Sequence, residues 1–280
     1  MTDSASPLPP IAFIGGGNMA SAIIGGLIRQ GLPAGQIEVV EPFEAARSAL
    51  LQKFGITAQP AATAALARAG LVVWAVKPQT FSEAARQAAP HTAGALHLSV
   101  AAGIRSDSMA RWLASERIVR AMPNTPALIG QGMTGLYARA GVTPAERALV
   151  EQVVATTGAH LWVEQESQLD AVTALSGSGP AYVFYFLEAM VQAGVDMGLT
   201  QEQAQQLSVG TFVGAAELAR RADEPLEVLR QRVTSKGGTT HAAIQSMEDD
   251  EVAQRFMRAL DAAEHRAREL GEEFGGAASD

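Results

Sequence analysis

Apolar residues in the first part of the chain come in short blocks of strand length. Ile11–Gly15 (IAFIG), Ile37–Glu41, Leu71–Val76 (LVVWAV), Leu96–Val100 and Arg117–Ala121 read as five strands. Helical patterns lie between the first of them: Gly16 to about Gly31, Phe43–Phe54, and a weaker stretch over Ala61–Ala69. Pro78 stops the third strand. Strands alternating with helices predict a parallel, doubly wound sheet.

The pattern changes near residue 164. Thr143-Pro144-Ala145-Glu146 has the form of a capping box and opens a helix reaching about Thr157. His160–Val163 reads as one last strand. After it only helices are expected, at about 166–175, 180–197, 201–221, 225–232, 240–248 and 250–270. The predicted class is therefore α/β followed by all-α. The expected layout is a loose leader over 1–10, a sheet domain over 11–163, a helical domain over 164–272 and a loose tail over 273–280. Within Ala181–Met197 the only charged or amide side chains are Glu188, Gln192 and Asp196, four apart and so in one narrow stripe. Such a helix must be covered on most sides, by its own domain or by a second subunit.

Composition narrows the class. The 280 residues are 48% hydrophobic and 18% charged, enough for a substantial core. A net charge of -8 without a basic run argues against a nucleic-acid binder. Cysteine is absent, which removes disulfides, thiol nucleophiles and thiolate metal sites. No clustered metal ligands are expected. No apolar run has transmembrane length, and MTDSASPLPP has neither the basic start nor the apolar stretch of a signal peptide. A cytoplasmic protein with no membrane partner is expected.

Gly15-Gly16-Gly17-Asn18-Met19-Ala20 fits G-x-G-x-x-G/A. It follows a strand and opens a helix, the context that gives this short motif its force. The first glycine permits the turn, the second lets a pyrophosphate approach the backbone, and the small last position allows close helix–strand packing. Glu41 ends the second strand, where an acid commonly binds the adenosine ribose and disfavours a 2′-phosphate, which leans towards NAD. Arg47, on the next helix, is a 2′-phosphate ligand or a solvated side chain. Ala75-Val76-Lys77-Pro78, Ser99-Val100-Ala101-Ala102-Gly103 and Met122-Pro123-Asn124-Thr125-Pro126 end three further strands on the edge where open α/β sheets bind ligands. Lys77 faces cofactor, substrate anion or solvent. Asn124 and Thr125 contact a ligand or simply turn their loop.

Val233–Glu248 (VTSKGGTTHAAIQSME) carries the second candidate site. Ser235, Gly237, Gly238, Thr239 and Thr240 run straight into a helical pattern. A glycine turn entering a helix gathers unpaired N–H groups around one point, which binds an anion such as a small carboxylate. The hydroxyls supply further hydrogen bonds. His241 reads as an exposed helix-start residue.

In this order the segments FIGGGNMA, AVKPQ, SVAAGI, RAMPNTPA, DAVTALSGSGPAY and VTSKGGTTHAAIQSME resemble pyrroline-5-carboxylate reductase from Ile11 to about Leu270. The resemblance implies reduction of the cyclic imine 1-pyrroline-5-carboxylate to L-proline with NADPH or NADH. It also implies a Rossmann domain, a helical domain, and a homodimer or larger ring whose active site joins one subunit's nicotinamide to its partner's glycine–hydroxyl loop. Carried over by position, Ile14, Gly15, Gly16, Gly17, Asn18 and Met19 line the dinucleotide, with Ala75, Val76, Lys77, Pro78, Val100, Ala101 and Ala102. Ser235 and Gly237, Gly238, Thr239 and Thr240 cradle the substrate carboxylate, and Thr240 matches the threonine that hydrogen-bonds the ring nitrogen. Three positions depart from the family: Glu41 replaces a small polar residue that serves NADPH, Ala62 an asparagine that contacts adenosine, and Lys236 a proline. The rival readings are a reductase of a related imine or β-hydroxy acid and a non-catalytic dinucleotide-binding regulator. The helical domain's one lysine, Lys236, lies on the loop, which counts against the β-hydroxy-acid enzymes. The intact glycine–hydroxyl loop counts against the regulator.

Overall fold

The computed structural model describes residues 8–276, in two compact units. The first runs to Ser178 and takes up the chain again at Ala263; the second is Gly179–Ala262.

The first unit is built on a seven-stranded sheet of order β2-β1-β3-β4-β5-β6-β7. Its strands are β1 (Ile11–Ile14), β2 (Ile37–Val40), β3 (Leu71–Trp74), β4 (Leu96–Ser99), β5 (Ile118–Met122), β6 (Gly132–Ala138) and β7 (Gly158–Trp162). β1 lies between β2 and β3 with Phe13 opposite both Val39 and Val73. Alternate residues feed two cores, as the pleat requires. Ile11, Phe13, Leu71 and Val73 pack with helix α1 (Asn18–Arg29) on one side. Ala12, Ile14, Val72 and Trp74 pack with Phe81, Ile104 and Met109 on the other. Burial on both faces is why these strands read as continuous apolar blocks. The remaining helices of this sheet are α2 (Glu44–Phe54), α3 (Pro78–Thr92), α4 (Ser106–Leu113) and α5 (Pro144–Val154). α5 starts on the expected capping box: Thr143 Oγ1 accepts from Glu146 N–H at 3.3 Å, and Glu146 Oε2 accepts from Thr143 N–H at 2.8 Å.

Several expectations change. β6 is antiparallel to β5, so the sheet is not wholly parallel. Its sequence, GMTGLYA, hides it, because Gly132 and Gly135 interrupt the apolar pattern; a Cβ on Gly135 would stand 2.7 Å from Val172 Cγ1. The weak helix over 61–69 is a 3-10 turn, Ala64–Arg68, capped by Thr63. Residues 164–178 belong to the sheet unit rather than to the helical domain. This segment holds α6 (Gln168–Val172) and a π-helical turn, Thr173–Gly177. It is tied down by part-buried ion pairs, Arg120 Nη1 to Glu166 Oε1 at 2.6 Å and Arg105 Nη2 to Asp170 Oδ2 at 2.8 Å. The leader and tail are also shorter than expected. Pro10 C=O accepts from Gly70 N–H at 2.9 Å and Leu8 packs on the core, so residues 8–10 are part of the sheet unit. The last helix, α11 (Val252–Gly276), runs through residues 273–276 because Phe274 packs on the Trp74 and Phe81 core. Residues 1–7 and 277–280 of the expected leader and tail lie outside the described residues.

The second unit contains α7 (Gly179–Asp196), α8 (Gln201–Arg221), α9 (Leu226–Arg232), α10 (Thr239–Asp249) and the start of α11. Gly194 lets α7 and α8 meet closely, since a Cβ there would stand 2.9 Å from Ala204 Cβ. Phe256 packs edge-on against Tyr182 and Phe186, with centroids 5.7 and 5.5 Å away. No residue of α7 is buried by its own chain, and Phe184 and Tyr185 are 59% and 71% exposed. Among the described residues no helix is long and apolar enough to cross a membrane.

Candidate active site

β1 runs into a turn at Gly15, whose φ is +95°. A side chain there would be strained and its Cβ would lie 2.6 Å from Ala75 C=O. The turn delivers the chain to Gly17, the N-cap of α1, in extended conformation and with open space where a Cβ would be. No side chain caps α1 and no acid sits in its first turn. The N–H groups of Asn18, Met19 and Ala20 therefore have no intrahelical acceptor, beside a backbone that a phosphate can approach closely.

A cleft of about 620 Å³ opens beside this turn. Ile14, Gly15, Gly17, Glu41, Ala75, Val76 and Lys77 line it, so seven of the sequence-derived positions converge on one space. Glu41 is buried, and its carboxylate is anchored twice: Oε2 accepts from Gly16 N–H at 2.8 Å and Oε1 from Phe43 N–H at 2.9 Å. Gly16 thus serves the site through its N–H. Arg47 points its Nη1 at the carbonyls of Glu41 and Pro42, at 3.0 and 2.6 Å, and does not line the cleft. Lys77 is exposed, caps α3 through its backbone, and is followed by Pro78 at the first helical position. Asn18, Met19, Pro78, Val100, Ala101 and Ala102 do not line the cleft. Val100 N–H is held by Trp74 C=O at 3.0 Å, which fixes the 100–102 loop at the same sheet edge. The glycine turn, the bare helix start and the buried acceptor at the end of β2 fit a dinucleotide.

The sequence left open what Asn124 does; here it is a brace. Its Nδ2 donates to Ser176 C=O at 3.2 Å and its Oδ1 accepts from Met133 N–H at 2.9 Å, joining the β5 loop, β6 and the π-helical turn. The charged group beneath that turn had no sequence signal. Burial acts to raise the Glu166 carboxyl, but the Arg120 charge and the Ser106 hydrogen bonds outweigh it and hold it below the ordinary carboxylate value. Burial in turn pulls the Arg120 guanidinium down, against the attraction of Glu166. Other lining residues that sequence reasoning missed are Phe43, Pro60, Thr80, Glu83 and Gln87. Only Phe43 carried a usable signal, as the aromatic two positions after the strand-end acid.

The glycine–hydroxyl loop lies in the second unit. Gly237 has φ +77°, Gly238 N–H bonds Ser235 C=O at 3.0 Å, and Gly238 is the N-cap of α10. No side chain caps this helix and no acid occupies its first turn. The first intrahelical bond is Ala242 N–H to Gly238 C=O at 3.1 Å, so the N–H groups of Thr239, Thr240 and His241 are left open. Ser235, Gly237, Thr239, Thr240 and His241 are exposed. Every expected cradle residue is thus present at one helix start.

Residues 166–270 match the family model for pyrroline-5-carboxylate reductase dimerisation, and residues 10–103 the model for NADP oxidoreductase, coenzyme F420-dependent. The pyrroline-5-carboxylate reductase of Pseudomonas aeruginosa is 45% identical over 95% of this chain and 98% of its own length. A solved pyrroline-5-carboxylate reductase from Coxiella burnetii superposes with a TM-score of 0.88 at 37% identity, covering 94% of this chain and 99% of its own. The Plasmodium falciparum pyrroline carboxylate reductase, solved with NADP bound, superposes with a TM-score of 0.83 at 27% identity, covering 94% and 98%. With both candidate sites inside these matched spans, the chain belongs to the pyrroline-5-carboxylate reductase family.

Proposed function

We propose that this chain reduces 1-pyrroline-5-carboxylate to L-proline with NADPH or NADH, the last step of proline biosynthesis. The observation that carries this reading is the 45% identity over 95% of the chain, which takes in both the glycine turn and the 235–240 loop. When bound, the reduced nicotinamide supplies the hydride that the C=N carbon accepts. The cleft residues hold the dinucleotide: the α1 N-terminus faces its pyrophosphate and the Glu41 carboxylate its adenosine ribose. A carboxylate acceptor there repels a 2′-phosphate, so NADH is favoured over NADPH.

The open N–H groups of Thr239, Thr240 and His241, with Ser235, capture the substrate carboxylate and so position the ring. Thr240 Oγ1 orients the ring nitrogen. A threonine hydroxyl is too weak an acid to protonate it at neutral pH, so the proton arrives on the iminium or from water. No covalent nucleophile is required, because a protonated imine is already electrophilic.

The second unit self-associates, as a dimer or a larger ring. The bare surface of α7, with Phe184 and Tyr185 exposed, supports this reading. The active site then pairs the cleft of one subunit with the 235–240 loop of its partner. Adding 1-pyrroline-5-carboxylate to the enzyme with NADH or NADPH and following cofactor absorbance tests the reaction. Failure with both cofactors overturns it.

A further inference from the structure

The turn that leaves β4 is hydrogen-bonded at both ends but not in its middle. Val100 N–H bonds Trp74 C=O at 3.0 Å, and Ala101 N–H bonds Ser99 Oγ at 3.3 Å. On the far side Ser106 N–H bonds Glu166 Oε1 at 2.6 Å. Among the described residues, the N–H groups of Ala102, Gly103 and Ile104 donate to no backbone acceptor. Ala102 is exposed, and Gly103 is left-handed with φ +72°.

The end of α11 covers this middle. The Phe274 ring lies over Gly103, where a Cβ would stand 3.0 Å from Phe274 Cδ2 and 3.5 Å from Leu270 Cβ. Phe274 is half-buried and packs on the core that holds Ala101 and Ile104. Gly271, one turn earlier, leaves room for Arg105: a Cβ there would stand 2.5 Å from Arg105 Nε, on the guanidinium that reaches Asp170 Oδ2 at 2.8 Å. Beyond the ring, Gly275 C=O accepts from Ser108 Oγ and from Arg111 Nη2, both at 3.4 Å. A cation thus closes the last turn of α11, where the helix dipole favours one.

We propose that the last turn of α11 is a clamp for the reaction: Phe274 is a positioning residue that holds the Ala101–Gly103 turn where the nicotinamide ring rests. The inference rests on the NAD(P)H dependence proposed above and on the place of Val100–Ala102 beside the dinucleotide. Hydride transfer needs the reacting carbons about 3–3.5 Å apart. A turn without backbone hydrogen bonds of its own keeps that tolerance only if packing fixes it, and Phe274 supplies the packing.

The test sets wild type against Phe274→Ala in the full-length protein, with three readouts. These are single-turnover hydride transfer to 1-pyrroline-5-carboxylate, titration with ADP-ribose, which has no nicotinamide, and fluorescence of bound NADH. The variant binds ADP-ribose with wild-type affinity and stoichiometry, so its sites are intact. Hydride transfer per site slows by at least about tenfold, because misplacement by about 1 Å costs up to about 100-fold. The isotope effect on kcat with NADH deuterated at C4 rises, and KM for the imine stays in place. Emission of bound NADH moves towards that of free NADH. Phe274→Leu restores most of the rate. Arg111→Ala, which loosens Gly275 from outside the core, slows transfer by about threefold, the return of one modest hydrogen bond. Wild-type transfer in Phe274→Ala, or ADP-ribose affinity that falls as far as the rate, overturns the clamp. If Phe274→Ala does not fold, Arg111→Ala decides, and an unchanged rate there overturns it. The fluorescence is read without any imine. A chain whose bound NADH responds to Phe274→Ala in this manner yet reduces no pyrroline carboxylate refutes the reaction and leaves the clamp standing.

Discussion

His97 makes the stability of the sheet depend on pH. It sits fully buried on β4, where its Nδ1 accepts from Trp74 Nε1 at 3.2 Å and its Nε2 has no partner among the described residues. Burial first, and the nearby Arg117 charge second, pull its pKa from 6.5 down to about 4. The unfolded chain therefore binds this proton at a higher pH than the folded one. Stability from the neutral ring is complete above pH 6.5 and is lost as pH falls towards 4. At about 1.4 kcal/mol per tenfold change in protonation, that window is worth about 3 kcal/mol. The consequence reaches the cleft, because Trp74 immediately precedes Ala75 and Val76 on its wall. The assay is urea unfolding at fixed protein concentration, every half pH unit from 7.5 to 4.5, for wild type and His97→Leu. The variant loses the Trp74 partner, at a cost of about 1–3 kcal/mol at pH 7.5. The carboxylates titrate in both proteins, so the difference between them isolates the histidine. Wild type should lose the excess as pH falls and the two curves should converge. Curves that stay parallel across the whole range would refute the burial argument.

Four further outcomes follow from named contacts. Glu166→Ala leaves the Arg120 guanidinium buried without its carboxylate and should destabilise the protein by about 3–5 kcal/mol; calorimetric unfolding checks it, and Arg120→Met in the same chain should recover part of the loss. Gly15→Ala adds about 1–2 kcal/mol of left-handed strain to a Cβ placed 2.6 Å from Ala75 C=O, so NADH affinity measured by fluorescence should fall at least about tenfold. Thr240→Ala should lower turnover far more than it weakens NADH binding, and near-normal hydride transfer in stopped flow would refute its role. Glu41→Ser should move the ratio of kcat/KM for NADH over NADPH towards NADPH, and an unchanged ratio would detach Glu41 from cofactor choice.

Elements with a strong local signature were legible in the chain. The glycine turn, the Thr143 capping box and the buried strands each follow from a few adjacent residues, and each appears close to where those residues place it. β6 was not legible, because Gly135 answers to Val172 and Gly132 to Ala127 and Thr157, all outside the strand, and the two glycines break the apolar pattern. α3 and α4 escaped for a related reason. Their faces are small or polar residues around a few buried anchors such as Phe81 and Met109. The same limit hid the outer wall of the cleft, since Pro60, Thr80 and Gln87 meet only once α3 lies beside β3. The 164–178 boundary likewise depends on ion pairs to residues 46 and 65 positions away.

By itself the sequence determined the family, the two candidate loops and the acid at the end of β2, because these reside in contiguous residues whose backbone chemistry is local. Tertiary structure decided what those residues are bonded to. It made Glu41 an anchor for Gly16, turned Asn124 into a brace, and gave residues 164–178 to the sheet. Each of these depends on a hydrogen-bond donor or charge supplied by a distant segment, and only packing brings such partners within reach.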